Sequence, residues 1–68
     1  MTIHYDSKTD LLYLRLDPQK HTLTNRRVND DIVLDIDEKG KIIGIEIIDA
    51  SRNVELETLL PVEFRKAS

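Results

Sequence analysis

The sequence predicts an α+β domain in which an antiparallel β-meander of four or five strands is followed by one C-terminal helix. Three observations predict this fold. Short segments rich in leucine and β-branched residues alternate with turn-forming residues up to position 48. The connections between them are short enough for an up-and-down arrangement. After that position, leucines recur at helical spacing. We therefore expect one domain over residues 1–68, with the sheet in residues 1–48 and the helix and tail in residues 49–68.

The most apolar stretch, IVLDIDEKGKIIGIEII at residues 32–48, predicts a β-hairpin whose register has two alternatives. The DEKG tetrapeptide at residues 37–40 favours a type I turn with a glycine bulge, which pairs Ile36 with Ile42. The hydrophobic pattern instead favours Ile36 opposite Ile43, because that register gathers the apolar side chains on one face. We favour the first register, because Lys-Gly is a poor substitute for the Asn-Gly of a two-residue turn.

Three further strands are predicted before this hairpin. Residues 2–5 form a short strand, and turn-forming residues follow it. Residues 11–16, LLYLRL, are too few for a helix and lie between two aspartates, so they are also predicted as a strand. Residues 23–28 are mostly polar, which suits a strand at the edge of the sheet.

The C-terminal helix is predicted from Leu56, Leu59 and Leu60, which lie at i, i+3 and i+4. The segment Asp49-Ala50-Ser51 and Asn53 offer N-cap oxygens before it, and Pro61 ends it or starts a second turn. A single short helix covers at most one face of a sheet. The chain of 68 residues is also near the lower limit for folding alone, and it has no cysteine to form a disulfide. We therefore predict a homodimer that buries the remaining isoleucines.

Composition and charge argue against two classes of partner, nucleic acids and membranes. The net charge is −3, with both signs interspersed, which argues against binding to nucleic acid or to an anionic membrane surface. The longest apolar runs are only a few residues, too short for a membrane span. The first ten residues contain no apolar signal-peptide core, so we expect a cytoplasmic protein.

Acidic side chains cluster around the predicted hairpin. The cluster comprises Asp30, Asp31, Asp35, Asp37 and Glu46. Carboxylate oxygens of this kind bind Mg²⁺ or Ca²⁺, so a small cation-dependent hydrolase using Asp35, Asp37 and Glu46 is the alternative hypothesis. Solvation of an exposed face and closure of turns is the favoured interpretation, because the spacing is not that of an EF-hand.

Other residues with reactive or aromatic side chains also have a structural interpretation that we favour. His4 and His21 have no obvious third ligand for a metal, and Ser51 lies in no nucleophile elbow. Tyr5 and Tyr13 lack the interleaved basic residues of a base-stacking surface. We therefore assign no catalytic, cofactor-binding or metal-binding residue and expect no cofactor.

Gly44 is unusual because it lies inside a predicted strand. A glycine there weakens the strand, so it marks a bulge, a bend or the close approach of another group. We favour a tyrosine ring that crosses above it, and a docked partner element is the alternative.

Two long motifs resemble the domain of unknown function 2283 family, a group of small prokaryotic proteins. They are Y-D-x-x-x-D-x-L-Y-L-x-L, from Tyr5 to Leu16, and D-x-D-x-x-G-x-I-I-G-I-E-I-x-D-A-S, from Asp35 to Ser51. The resemblance implies a compact β-rich domain without catalytic residues to carry over. It also suggests a toxin-like protein partner and hence an antitoxin-like role. Together with the apolar surplus, it predicts a non-enzymatic, homodimeric protein-interaction module.

Overall fold

In the computed structural model, residues 1–19 and 22–59 are described, and they form one five-stranded antiparallel sheet and two short helices. The strands are β1 (Thr2–Asp6), β2 (Leu11–Arg15), β3 (Thr24–Arg27), β4 (Ile32–Ile36) and β5 (Ile42–Ile47), and the helices are α1 (Ala50–Asn53) and α2 (Leu56–Leu59). The predicted antiparallel sheet is confirmed. Within the described residues, the single predicted helix is replaced by two four-residue helices, because the backbone is extended at Val54, where α1 ends. Leu60 and Pro61, at the predicted end of the helix, lie outside the described residues.

The order of the strands is β1-β2-β5-β4-β3, so the predicted meander was wrong. Strands β2 to β5 have the arrangement of a Greek key, in which β5 returns to lie between β2 and β4. Three strand spacings separate β2 from β3, or about 14 Å. The connection, residues 16–23, is long enough to cover that distance at about 3.3 Å per residue. A short connection therefore did not require the two strands to be neighbours.

The β4–β5 hairpin contains both predicted registers. Beside the turn, Ile36 pairs with Ile42, as the turn chemistry predicts. One step further along, Asp35 pairs with Gly44, as the hydrophobic pattern predicts. A β-bulge between these two pairs leaves Ile43 as the extra residue. The favoured register is thus confirmed at the turn and wrong beyond the bulge.

Side chains alternate across the sheet and divide its strand residues into two faces. The apolar face consists of Ile3, Tyr5, Leu12, Leu14, Thr24, Arg26, Ile32, Leu34, Ile36, Ile42, Ile43, Ile45 and Ile47. The polar face consists of Thr2, His4, Asp6, Leu11, Tyr13, Arg15, Asn25, Arg27, Val33, Asp35, Gly44 and Glu46. The bulge makes this division possible, because it returns the isoleucines of β5 to the same side as those of β4.

The apolar face is poorly covered. Of its side chains, Leu12 and Ile43 are buried. The exposed large apolar side chains of the described residues are Met1 (60%), Leu16 (40%), Val28 (58%) and Ile42 (45%). All four belong to this face: Ile42 pairs with Ile36, and the other three continue the alternation of their strands by one step. The exposed apolar surface is therefore gathered on one side of the sheet.

Helix α1 lies at one end of the sheet. The amide of Ala50 donates to the carbonyl oxygen of Asp10 at 2.9 Å, and the amide of Ile48 donates to that of Asp31 at 2.7 Å. These bonds attach α1 to the turn between β1 and β2 and to the start of β4, and Ala50 is buried. Across residues 1–19 and 22–59, neither helix has the length and apolar character needed to cross a membrane.

Candidate functional site

The Asp10 carboxylate connects Tyr5, the first residue of the first sequence motif, with Ser51, the last residue of the second. Its carboxylate accepts hydrogen bonds from the Tyr5 hydroxyl at 2.7 Å, the Ser51 hydroxyl at 2.6 Å and the Ser51 amide at 3.0 Å. The backbone of Asp10 is left-handed, with φ of 57°, a conformation that aspartate tolerates better than most residues. The Tyr5–Asp10–Ser51 cluster therefore fixes α1 to the β1–β2 turn.

The N-cap role predicted for Ser51 was wrong. Ser51 lies inside α1, and its hydroxyl donates to Asp10. Asp49 occupies the cap position in a left-handed conformation, with φ of 52°, and makes no side-chain cap bond. Its carboxylate instead accepts a hydrogen bond from Arg52 at 3.1 Å. A four-residue helix held by tertiary hydrogen bonds does not depend on a cap.

A second set of polar contacts attaches α1 to the start of β4. The Asp31 carboxylate accepts from Arg52 at 3.3 Å and from the Asn53 amide group at 3.1 Å. Asn53 also donates to the carbonyl oxygen of Ile48 at 2.9 Å. Because the Arg52 side chain is well exposed, the ion pair contributes little by itself and mainly orients the helix.

On the polar face, Tyr13 lies across Gly44 and donates a hydrogen bond to the Asp35 carboxylate at 2.8 Å. A Cβ atom added at Gly44 would lie 2.7 Å from Cζ and 3.0 Å from Cε1 of the ring. The predicted tyrosine above this glycine is therefore confirmed. Desolvation by burial, followed by the hydrogen bond to Asp35, raises the pKa of Tyr13 above its ordinary value, so the phenol remains a proton donor at neutral pH.

Asp37 closes the hairpin turn. Its carboxylate accepts the amide protons of Lys39 and Lys41, each at 2.9 Å, and its carbonyl oxygen accepts that of Gly40 at 3.0 Å. Gly40 has a φ of +82°, which a residue with a side chain rarely adopts. The side chain of Asp37 is buried by these contacts, so its place in the structure is that of a turn former.

The sequence-predicted acidic residues are divided among several structural contacts. Asp35 and Glu46 lie on the polar face, whereas Asp37 lies in the hairpin turn; Asp35 binds Tyr13 and Asp37 binds the backbone of the turn. Asp31 binds α1, and Asp30 contributes its carbonyl oxygen to Arg27. Among the residues that the structure describes, no three potential metal-ligating side chains come together.

The two histidines have different outcomes. His4 is exposed on β1 and pairs with Tyr13 in the register of the sheet. His21 lies outside the described residues.

Sequence reasoning did not single out Asp10. Its partner Ser51 is 41 positions away, and no local pattern indicates a contact at that separation. The available signal was the first family motif, in which Tyr5 and Asp10 both occupy fixed positions. The motif residues that the structure explains, from Tyr5 and Asp10 to Asp35, Gly44 and Ser51, act in hydrogen bonds or close packing within the fold.

The Asp10 cluster makes stability depend on acid pH. Hydrogen bonds from Ser51, and then from Tyr5, lower the pKa of Asp10 below its ordinary value of 3.8. The stabilisation is therefore present above that value and is lost as the pH falls through the lower pKa of the folded state. Asp10→Asn is expected to unfold at lower urea concentration than the unmodified protein at neutral pH, and the difference should shrink below pH 3.8.

Asp30→Asn is the matched control, because the bond from Arg27 uses the Asp30 carbonyl oxygen, which the substitution keeps. It should change the urea midpoint little at any pH. If the difference in urea midpoint between Asp10→Asn and the unmodified protein stayed constant across the acid range, the hydrogen bonds of the Asp10 carboxylate would not be the source of the pH dependence.

Comparison with known proteins gives one match. A family model described as "Protein of unknown function (DUF2283)" matches residues 2–51. No curated protein and no solved structure matches the chain. The matched residues begin with β1 and end inside α1, so they include the whole sheet and the Tyr5–Asp10–Ser51 cluster.

Proposed function

This chain belongs to the DUF2283 family of proteins of unknown function, and from that premise we propose that it is a non-enzymatic protein-interaction module that acts as a homodimer. The observation that carries the proposal is the apolar face, on which all the exposed large apolar side chains of the described residues lie. A surface of this kind marks an interaction site. The toxin-like partner and the cytoplasmic location stay predictions from the sequence.

The apolar face is large enough for a small dimer interface. Five strands at about 4.8 Å spacing and five residues at about 3.4 Å each give a projected area of about 400 Å². The accessible surface is larger, because the side chains stand out from the sheet. A standard interface buries about 800 Å² of accessible surface per partner. The apolar face therefore supports association between two chains.

A second copy is the partner that suits this face. Two sheets packed face to face form a β-sandwich about 10 Å thick, which gives each copy the second layer that a single sheet lacks. A two-fold symmetric pair also uses the same surface on both subunits, so no second binding surface is required. The chain contains no cysteine, so a disulfide does not substitute for such packing.

The polar side chains support the non-enzymatic part of the proposal. Asp35 is bonded to Tyr13, and Asp37 is bonded to the backbone of its own turn. Acid–base catalysis by a carboxylate pair requires environments that separate the two pKa values and leave the reacting oxygens accessible to a substrate. Side chains that hold the fold together are a poor basis for that chemistry.

The homodimer is tested with Ile42→Glu and sedimentation equilibrium. Ile42 is exposed on the apolar face, so the substitution puts a charge into the interface without opening the core. The unmodified protein should have the mass of two chains at micromolar concentration. The variant should be mainly monomeric, because an unpaired carboxylate in an apolar interface is costly to desolvate.

Thr2→Glu is the control, because Thr2 is exposed on the polar face opposite Arg15 and the substitution introduces the same charge. It should leave the mass of the dimer unchanged. A monomer for the unmodified protein, or equal dissociation of the two variants, would contradict the proposed function.

A further inference from the structure

The two outermost strands of the sheet, β1 and β3, each have an edge that no strand of the described residues covers. In an antiparallel pair, every second residue turns its backbone N–H and C=O groups away from the partner strand. The amide of Val28 donates to the carbonyl oxygen of Ile32 at 2.8 Å, so the register makes Arg26 the next residue bonded to β4. The backbone groups of Asn25 and Arg27 therefore point away from the sheet.

The side chains of β3 give this free edge a positive charge. Arg26 and Arg27 are exposed and lie on opposite faces of the sheet. No acidic residue occurs at positions 18–29 of the sequence. The acid level with β3 in the register is Asp35, and its carboxylate accepts the hydrogen bond from Tyr13. Cations therefore flank the edge on both faces, although the chain as a whole has a net charge of −3.

Neither arginine of β3 has a carboxylate partner in the described part of the chain. Arg26 is the one charged residue among the strand positions of the apolar face there, and no hydrogen bond or ion pair involves its guanidinium. Arg27 donates to the carbonyl oxygens of Asn29 at 3.4 Å and Asp30 at 2.9 Å, which are neutral acceptors. Both positive charges are therefore available to an anionic group from outside the described chain.

The sign of the charge on an edge strand decides what can pair with it. Charged side chains discourage pairing between like edges, but opposite charges on paired strands attract, because facing side chains lie about 4.5–5.5 Å apart. At the β1 edge, the outward backbone groups belong to Ile3 and Tyr5, and the strand contains Asp6 but no lysine or arginine. Of the two free edges, the β3 edge is therefore the one suited to an acidic strand.

We propose that the free edge of β3 binds an acidic, extended segment of a partner protein, which adds a further strand to the sheet. Asn25 and Arg27 each offer one backbone donor and one acceptor, and main-chain hydrogen bonds of this kind provide the affinity in β-strand addition. Two consecutive acidic residues of the partner provide the selectivity, since one faces Arg26 and the next faces Arg27 on the other side of the sheet. The β3 site rests on the proposed function, because it adds a partner to the same interaction module, although it uses the edge of the sheet and not the apolar face.

NMR spectroscopy of the full chain tests this site with two blocked peptides. Both peptides alternate threonine with valine, and at the centre one carries two glutamates and the other carries two lysines. The glutamate peptide should bind about tenfold more tightly at low salt, because two attractive pairs replace two repulsive ones. At saturation it should also slow the hydrogen exchange of the Asn25 and Arg27 amides and leave that of Ile3 and Tyr5 unchanged.

Three variants separate main-chain pairing from simple attraction between charges. Asn25→Pro removes an outward N–H group and no hydrogen bond to β4, so the fold should persist while binding of the glutamate peptide is lost. R26E should abolish the preference between the two peptides, because each then makes one attractive and one repulsive pair. The control Thr2→Glu adds a negative charge on β1 and should leave the preference unchanged.

Several results would overturn the proposed β3 site. Equal binding of the two peptides would do so, as would a folded Asn25→Pro that still binds the glutamate peptide. Protection of the Asn25 and Arg27 amides without peptide would show that the protein itself fills the edge. Sedimentation of the same samples distinguishes the two proposals. If the unmodified protein is a monomer that binds the glutamate peptide as expected, the homodimer fails and the β3 site stands. If a dimer forms and the glutamate peptide does not bind, only the β3 site fails.

Discussion

Leu12→Ala is expected to destabilise the protein by about 2–5 kcal/mol. Leu12 has no exposed surface and pairs with Tyr5 on one side and Ile47 on the other. Removing most of its side chain leaves a cavity that the rigid strands beside it cannot close. At about 0.05–0.15 kcal/mol per residue, this chain has a total stability of about 3–10 kcal/mol. The variant should therefore lose much of its folded population, which urea unfolding followed by circular dichroism measures.

Leu16→Ala is the matched control for this prediction. It makes the same chemical change on the same face, but Leu16 is 40% exposed, so less surface returns to water on unfolding. Its effect on the unfolding free energy should be below about 1 kcal/mol. Both variants are compared at a protein concentration low enough to keep the chain monomeric, because dimerisation stabilises the folded state and would bury Leu16 in the proposed interface. Equal effects of the two substitutions would show that Leu12 does not form the centre of the core.

The strands were predictable because their signals are local. Alternating apolar residues and the turn residues between them placed every strand within one or two positions of its observed ends. The order of the strands was not predictable in the same way, because the length of a connection limits the distance between strands but does not make them neighbours. The central position of β5 follows from pairing on both of its edges, which is a property of the whole sheet.

The hairpin shows how two local signals combine. Turn chemistry and hydrophobic pattern predicted different registers for β4 and β5, and a choice between them was bound to be half wrong. The bulge at Ile42 and Ile43 satisfies both signals, because it keeps the turn and shifts the rest of the pairing by one residue. Each signal acts over only a few residues, so neither alone indicates that a bulge is present.

The contacts that hold α1 were beyond local sequence reasoning. Asp10 and Ser51 are distant in the chain and meet only because β1, β2 and β5 are neighbours in the order they adopt. The contact at Gly44 was more accessible, since a glycine inside an apolar strand indicates close approach by a large group. The sequence predicted a tyrosine there, and the strand order selects Tyr13.

Gly44→Ala is expected to destabilise the protein by about 1–3 kcal/mol through overpacking, although alanine normally improves a strand. The new Cβ atom would lie 2.7 Å from Cζ of Tyr13, so the ring must move. Movement of the ring breaks its hydrogen bond to Asp35, whose side chain is only 7% exposed and is poorly placed to bind water instead. Loss of that bond adds about 1 kcal/mol or more. Urea unfolding of the variant measures the sum.

The Tyr13→Ala background reverses the sign of this effect. The three atoms nearest to a Cβ atom at position 44 all belong to Tyr13, so removing the ring removes this close contact. Gly44→Ala should then be neutral or stabilising by about 0.5–1 kcal/mol, the usual advantage of alanine over glycine within a strand. A double-mutant cycle therefore isolates the contact between the ring and the strand. If Gly44→Ala lowers the free energy of unfolding equally in both backgrounds, the backbone of β5 requires the glycine, and the tyrosine that lies across it does not.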